Sequence, residues 1–463
     1  MKEPGNLFQE RVKRIHFVGI GGIGMSGIAE IFIELGYHIS GSDLRENDNV
    51  ERLRAHGATI NIGHNPDAVE GAAVVVYSSA IRPENPELMR ARNLDIPVIP
   101  RAEMLAELMR FGDGIAVAGT HGKTTTTSLY ATLLAHLDPT VVIGGKLNAI
   151  GTNAKRGTGG LIVVEADESD GSFLFLRPLI TCVTNIDEEH MDHYASIDEI
   201  VDSFTQFCSS IPFYGFNIIC IDNENCREVV ERVHRRNITY GFSKKAHYQA
   251  VDVHLEGNGS RYTVLRHGKA VGEISIHMLG RHNVLNSLSA VVLGIELGIP
   301  FEDIASSLAS FQGVDRRFSI RGEVGGILVV DDYAHHPTEI AATLSAARQG
   351  YPQRRLWAVL QPHRYTRVQA LFTEFGRAFF AADEVLVTDI YGAGEGTIPG
   401  IGADTLAEGI NRLSNKKALA TGDLDATLEH LSGRLEPGDL VLMLGAGSIT
   451  TLSGRLLERL RQR

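Results

Sequence analysis

The run Ala118-Gly119-Thr120-His121-Gly122-Lys123-Thr124-Thr125 sets a glycine turn, a lysine and several hydroxyls between an apolar run at 115–117 and a helix-like segment at 128–134. Strand, glycine turn and helix in this order cradle a nucleotide's phosphates. Backbone N–H groups at the helix start point at the anion, Lys123 supplies a mobile positive charge, and the Thr124 hydroxyl suits a Mg²⁺ ligand. Val117 stands where the G-x-x-x-x-G-K-S/T pattern has its first glycine. Gly119 makes the turn instead, and the loop is tighter.

Other apolar runs end in groups that could serve such a loop. Residues 161–164 lead into Glu165-Ala166-Asp167-Glu168, and 179–184 into Asn185-Ile186-Asp187-Glu188-Glu189-His190. In a parallel sheet the carboxyl ends of strands lie together, so Glu165 and His190 are candidate ligands for metal ions on the phosphates. Alone, His190 reads as a capping or surface histidine; its place after a buried strand favours the ligand. Further on, 326–330 ends in Asp331-Asp332-Tyr333-Ala334-His335-His336, and 356–360 in Gln361-Pro362-His363-Arg364-Tyr365-Thr366-Arg367. The run 440–444 ends in Gly445-Ala446-Gly447-Ser448. Arginines at such ends suit a carboxylate or phosphate through bidentate geometry.

The N-terminal part has its own anion loop. A strand-like run at 14–18 meets Gly19-Ile20-Gly21-Gly22-Ile23-Gly24, then a helical pattern at 25–35 and a second strand at 37–42 ending at Asp43. The glycines allow close approach of a diphosphate, and a carboxylate roughly twenty residues on can meet a ribose or base. For Asp43 a solvated turn is an equal alternative. A further strand at 74–77 ends in Ser78-Ser79-Ala80.

Elements that place these groups must alternate strand and helix, which gives an α/β class with about three domains by length. The expected boundaries are 1–109, 110–311 and 312–463: Rossmann-like, central P-loop ATPase-like with a mostly parallel sheet, and again Rossmann-like. Of the 463 residues, 43% are hydrophobic and 22% charged, enough for several cores, and no stretch could span a membrane. A net charge of −12 argues against a nucleic-acid surface. The N-terminus lacks the apolar region of a secretory signal, and the four cysteines show no paired metal spacing. Reduced core thiols and a cytoplasmic location are expected. Monomer and homodimer both stay open.

Six ordered blocks together resemble the Mur ligases over essentially the whole chain. They are the glycine run continued through Met25-Ser26-Gly27, the phosphate loop, Glu165-Ala166-Asp167-Glu168, Gly280-Arg281-His282-Asn283-Val284-Leu285-Asn286, Asp332-Tyr333-Ala334-His335-His336-Pro337, and Gln361 to Arg367. The shortened phosphate loop is that family's own form.

The resemblance implies ATP-dependent ligation of L-alanine to the lactyl carboxylate of UDP-N-acetylmuramate through an acyl phosphate, in peptidoglycan precursor synthesis. It assigns Gly119, Thr120, His121, Gly122, Lys123, Thr124 and Thr125 to ATP, with His282 and Asn286 at the adenine and Asp332 at the ribose. Thr124 and Glu165 would hold Mg²⁺, and His190 a second ion, Mn²⁺ being the alternative metal. Many relatives add a carbamylated lysine soon after this histidine; no lysine occurs here between Lys155 and Lys244, so that feature is expected to be absent. Gly19, Gly21, Gly22, Gly24, Met25, Ser26, Ser78, Ser79 and Ala80 resemble the UDP-sugar site, with Asp43 a weaker candidate. Arg316 would meet the γ-phosphate, with Arg317 its competitor. Tyr333, His335, His363, Arg364 and Arg367 resemble the alanine pocket, and His336 reads as a packed neighbour. Two rivals are a ligase recycling a whole peptide onto the same sugar nucleotide, which should lack the His363-Arg364 pair, and a nicotinamide-dependent dehydrogenase, which has no use for a second phosphate loop.

Overall fold

The computed structural model describes residues 13–78, 80–144, 153–191, 193–257 and 259–462. The chain forms two compact units: the described parts of Met1–Gln249, Leu265–Lys269 and Leu285–Ser307, and those of Ala250–Val264, Ala270–Val284 and Leu308–Arg463.

The first unit holds two parallel-rich sheets. One has the strand order Thr59–Ile62, His38–Asp43, Arg14–Val18, Val74–Tyr77, Val98–Pro100, parallel throughout. The order reverses between Arg14–Val18 and Val74–Tyr77. Such a switch point opens a crevice at the strands' carboxyl ends, where Gly19 and Ser78 follow. In the second sheet, Asp113–Ala118 lies between Leu161–Glu165 and Ile180–Val183, parallel to both. Phosphate loop, acidic turn and histidine turn thus leave neighbouring strands in one direction. The first helix, Ile23–Glu34, packs on the strand Ala154–Lys155, where a Cβ on Gly27 would come within 2.8 Å of Ala154. The side chain of Asn153 donates to the Ile23 carbonyl there.

The second unit carries a sheet ordered Ser319–Val324, Ile327–Asp332, Asp439–Leu444, Arg355–Leu360, Glu384–Thr388, Ala418–Gly422. Only the first pair is antiparallel. Its apolar strands are buried on both faces, as helices on either side require.

Two boundaries differ from the sequence reading. The helix after the phosphate loop is Lys123–Leu133, so the threonines form its first turns instead of preceding it. Threonine is a mediocre helix former, but Thr125, Thr126 and Thr127 are buried, and Thr127 Oγ1 donates to the Lys123 carbonyl at 2.9 Å. Packing outweighs propensity. Likewise Asp331 and Asp332 lie inside the strand Ile327–Asp332, because pairing with Asp439–Leu444 runs on to the Asp332–Leu444 register. All four cysteines are buried and none is in a disulfide; burial pushes the Cys182 thiol up to about 11.

Gly119 is required twice over. Its φ is +130°, and a Cβ would overlap Thr184 Oγ1 and press to 2.9 Å from the Asn185 carbonyl. Gly119→Ala should destabilise the first unit by about 1–3 kcal/mol. A urea unfolding midpoint equal to that of the parent chain would contradict this packing.

Candidate functional site

The phosphate loop is laced to the neighbouring strand's end. Thr120 N donates to the Asn185 carbonyl at 3.0 Å and His121 N to Asn185 Oδ1 at 2.8 Å. Asn185 Nδ2 and Thr184 Oγ1 both donate to the His121 carbonyl, at 2.9 and 2.6 Å. Asp187 N donates to Thr120 Oγ1 at 2.9 Å. Gly122 caps the helix with φ +85°, and a Cβ there would stand 2.7 Å from Asn286 Oδ1, so Asn286 packs on the loop. His282, one turn earlier on the helix Arg281–Glu296, sits over Gly280.

At the loop's centre Lys123 Nζ donates to Glu168 Oε1 at 2.8 Å and to the carbonyls of Gly119 and Thr120 at 2.7 and 3.2 Å. Burial alone would push this ammonium's pKa down, but Glu168, Asp167 and Glu165 hold it above its ordinary value. Burial raises Glu168 in turn, against the pull of Lys123. Thr124 Oγ1 donates to Glu165 Oε1 at 3.1 Å, and Gly144 N to Glu165 Oε2 at 2.8 Å. His190, in the left-handed region at φ +59°, puts Nε2 3.7 Å from Glu168 Oε1.

A divalent cation fits this donor set. A hydroxyl and a carboxylate meet at Thr124 and Glu165, and Glu168 Oε2 is buried with no hydrogen-bond partner among the described residues. No group of three or more histidine, cysteine, aspartate or glutamate side chains forms a complete cage among those residues. Mg²⁺ is typically held by one or two carboxylates plus substrate phosphates, so an incomplete protein set is suitable.

The N-terminal glycine loop is held from the next strand. Gly19 N and Ile20 N donate to the Ser42 carbonyl at 2.8 and 3.0 Å, and Gly21 N to Asp43 Oδ2 at 2.8 Å. Asp43 therefore shapes the loop. Gly22 begins the helix Ile23–Glu34 without a side-chain cap. Met25 is buried in the core, and Ser26 Oγ donates to the Ile23 carbonyl at 3.1 Å. Ser78 lies against Gly19, and Ala80 N reaches Ser78 Oγ at 3.5 Å. Ser79 lies outside the described residues.

In the second unit the strand ends also converge. Arg316 Nη2 donates to the carbonyls of Gly445 and Gly447 at 2.6 and 3.3 Å, and its guanidinium lies 4.9 Å from the Tyr333 ring centre. Arg317 lies 5.3 Å from the same ring and pairs with Glu339 at 3.5 Å. Asp332 is buried and accepts from Phe318 N and Ala334 N, both at 2.7 Å, which closes the arginine turn; burial lifts its pKa to about 6. The rings of Tyr333 and His335 are 5.2 Å apart, and those of His335 and His363 5.7 Å. Arg367 Nη1 approaches His363 Nδ1 at 3.4 Å, and Tyr391 stacks on His363. Arg364 begins the helix Tyr365–Ala370 at φ +68° with an exposed side chain. His336 is buried and accepts from Thr338 N at 3.4 Å, capping the helix Pro337–Gly350. Burial, then His335, Arg367 and Arg364, lowers His363 from its ordinary 6.5 to about 4, and burial lowers His335 too. Both shifts favour the neutral imidazole.

The sequence reading gave no role to Glu168, Asn185, Glu339 or Tyr391. Glu168 had a signal, a second carboxylate one turn-length after Glu165 in the same strand-end run. Asn185 had a weaker one, its place at a carboxyl edge. Tyr391 had none.

Three family models match in order: Mur ligase family, catalytic domain, at residues 14–112; Mur ligase middle domain at 117–294; and Mur ligase, glutamate ligase domain, at 316–447. A UDP-N-acetylmuramate–L-alanine ligase of Geotalea daltonii is 52% identical over 98% of this chain and 99% of its own length. The same enzyme of Geobacter sulfurreducens is 50% identical over 98% of each. Among solved structures, UDP-N-acetylmuramate-alanine ligase of Thermotoga maritima superposes with a TM-score of 0.81 at 30% identity, covering 97% of this chain and 99% of that one. A murein peptide ligase of Psychrobacter arcticus gives 0.68 at 25%, over 97% and 98%.

Two outcomes follow from the geometry. Lys123→Ala strands a buried carboxylate and should cost about 3–5 kcal/mol without ligand; the double variant Lys123→Ala/Glu168→Gln should recover most of it in urea unfolding. A double variant no more stable than the single one would contradict the pairing. In the second unit, unfolded His363 takes up a proton below its ordinary 6.5 that the folded side chain refuses until about 4. Stability should therefore fall as pH falls through that window, and His363→Gln should flatten the fall in melting temperature.

Proposed function

Because the chain belongs to the Mur ligase family, we propose that it joins L-alanine to the lactyl carboxylate of UDP-N-acetylmuramate at the expense of ATP, in peptidoglycan precursor synthesis. The observation that carries this reading is the full-length similarity to ligases of that specificity. The phosphate loop, with Lys123 beside two acidic strand ends, supplies a site for the triphosphate.

A carboxylate attacking a triphosphate is anion meeting anion, and the attack needs positive charge aimed where negative charge grows. In this reading Lys123 leaves Glu168 and the loop carbonyls and turns its ammonium to the phosphates. The loop N–H groups orient the same phosphates. Thr124 and Glu165 would hold Mg²⁺, with Glu168 and His190 beside them; bound there, the ion would neutralise phosphate charge. Asn286, packed on Gly122, would meet the nucleotide's base. The muramate carboxylate takes the γ-phosphoryl group, ADP leaves, and the alanine amine displaces phosphate from the acyl carbon. Arg316 or Arg317 steadies the transferring charge. Arg364 and Arg367 bind the alanine carboxylate, while neutral His335 or His363 orients its ammonium.

Phosphate release from ATP should require both UDP-N-acetylmuramate and L-alanine; full-rate release with either omitted would sink the reading. A tripeptide accepted in place of alanine would favour the peptide-recycling rival. Replacing His363 or Arg364 should raise the KM for alanine far more than that for ATP.

A further inference from the structure

The last glycine of the N-terminal run has no conformational reason to be glycine. Gly24 lies within the helix Ile23–Glu34 and its φ is not positive, so a residue with a side chain would serve the backbone better. The reason is a neighbour. A Cβ on Gly24 would stand 2.9 Å from Arg101 Nη1, 3.2 Å from its Cδ and 3.4 Å from its Cζ. The glycine makes room for a guanidinium close against the helix that follows the glycine loop.

The same guanidinium reaches the acidic strand end beside the phosphate loop. Arg101 Nη2 is 3.8 Å from Asp167 Oδ2, and both side chains are partly exposed, at 28% and 46%. Asp167 belongs to the strand-end run that carries Glu165 and Glu168, and it lies within the field of Lys123. Arg101 therefore stands between the glycine loop's helix and the acidic strand end whose Glu168 pairs with Lys123, all in one compact unit. Beside it Ile23 is 52% exposed, an apolar surface at the start of the same helix. A planar, permanently charged fork in partial contact with water and one distant carboxylate is poised to take a second carboxylate bidentately.

We propose that Arg101 is the residue that receives the lactyl carboxylate of the sugar nucleotide, taking it in place of Asp167 and holding it on the side of the phosphate loop. This rests on the reading of the first sheet's crevice as the sugar-nucleotide site. Asp167 acts as the resident carboxylate that keeps the guanidinium in position until substrate arrives. The role differs from diphosphate binding, which in this reading falls to the start of the helix Ile23–Glu34.

The test compares UDP-N-acetylmuramate with UDP-N-acetylglucosamine, the same kind of nucleotide without the lactyl carboxylate, by calorimetric titration of the full chain without ATP. Arg101→Met, which keeps the aliphatic stem, should weaken UDP-N-acetylmuramate about tenfold or more and leave UDP-N-acetylglucosamine within about twofold. Arg101→Lys should fall between. Asp167→Asn breaks the same ion pair but keeps the fork, and should bind UDP-N-acetylmuramate no more weakly than the parent. Equal losses for both nucleotides, no loss for either, or an Asp167→Asn loss matching that of Arg101→Met would overturn the assignment. A parent chain that binds neither nucleotide would instead overturn the sugar-nucleotide reading itself.

Discussion

The contact between Lys123 and Glu168 governs the first unit. A buried ammonium and a buried carboxylate are each costly alone and tolerable together, so the pair fixes where the acidic strand end must lie relative to the phosphate loop. Lys123 also donates to the carbonyls of Gly119 and Thr120. The side chain that a nucleotide would recruit is therefore folded back on its own loop, and its charge is preserved by the carboxylates around it. Binding an anion can take over Glu168's role without first creating a charge.

Around this pair, close approach does most of the work. Gly119 and Gly122 let the loop lie against Asn185 and Asn286, and Gly24 lets a guanidinium lie against the first helix. In each case the absent side chain leaves room for a polar group belonging to a distant part of the sequence. The two anion loops of the first unit share this construction. Each follows a parallel strand, and each is held by the end of an adjacent strand: Asn185 for one, Ser42 and Asp43 for the other. Loops held in this way fix the helix starts that follow them before any ligand binds, which lowers the ordering cost of binding.

The second unit uses different physics. Two arginines lie against one tyrosine, a buried aspartate closes their turn through two backbone N–H groups, and two neighbouring imidazoles are kept neutral. Positive charge is concentrated while the histidines stay free of it, because burial and the arginines both oppose their protonation. Charge gathered in this way favours a carboxylate.

The sequence by itself determined the α/β class, the position of both glycine loops and the strand ends that carry chemistry, because those features are local: apolar runs, turn residues and the polar groups directly after them. It set Glu165 beside the phosphate loop, since parallel strands must present their carboxyl ends together, and the family resemblance put Thr124 with Glu165 and grouped His335, His363 and Arg367, which the structure brings near one another. Pairings across long separations were decided only by the tertiary structure. Glu168 rather than solvent meets Lys123, Asp43 and Asp332 spend their oxygens on backbone N–H groups, and Arg101 fills the space over Gly24. Nothing in the chain's periodicity encodes which carboxylate finds a buried partner. That choice follows from burial, where an unpaired charge is intolerable, and burial exists only once the strands have packed.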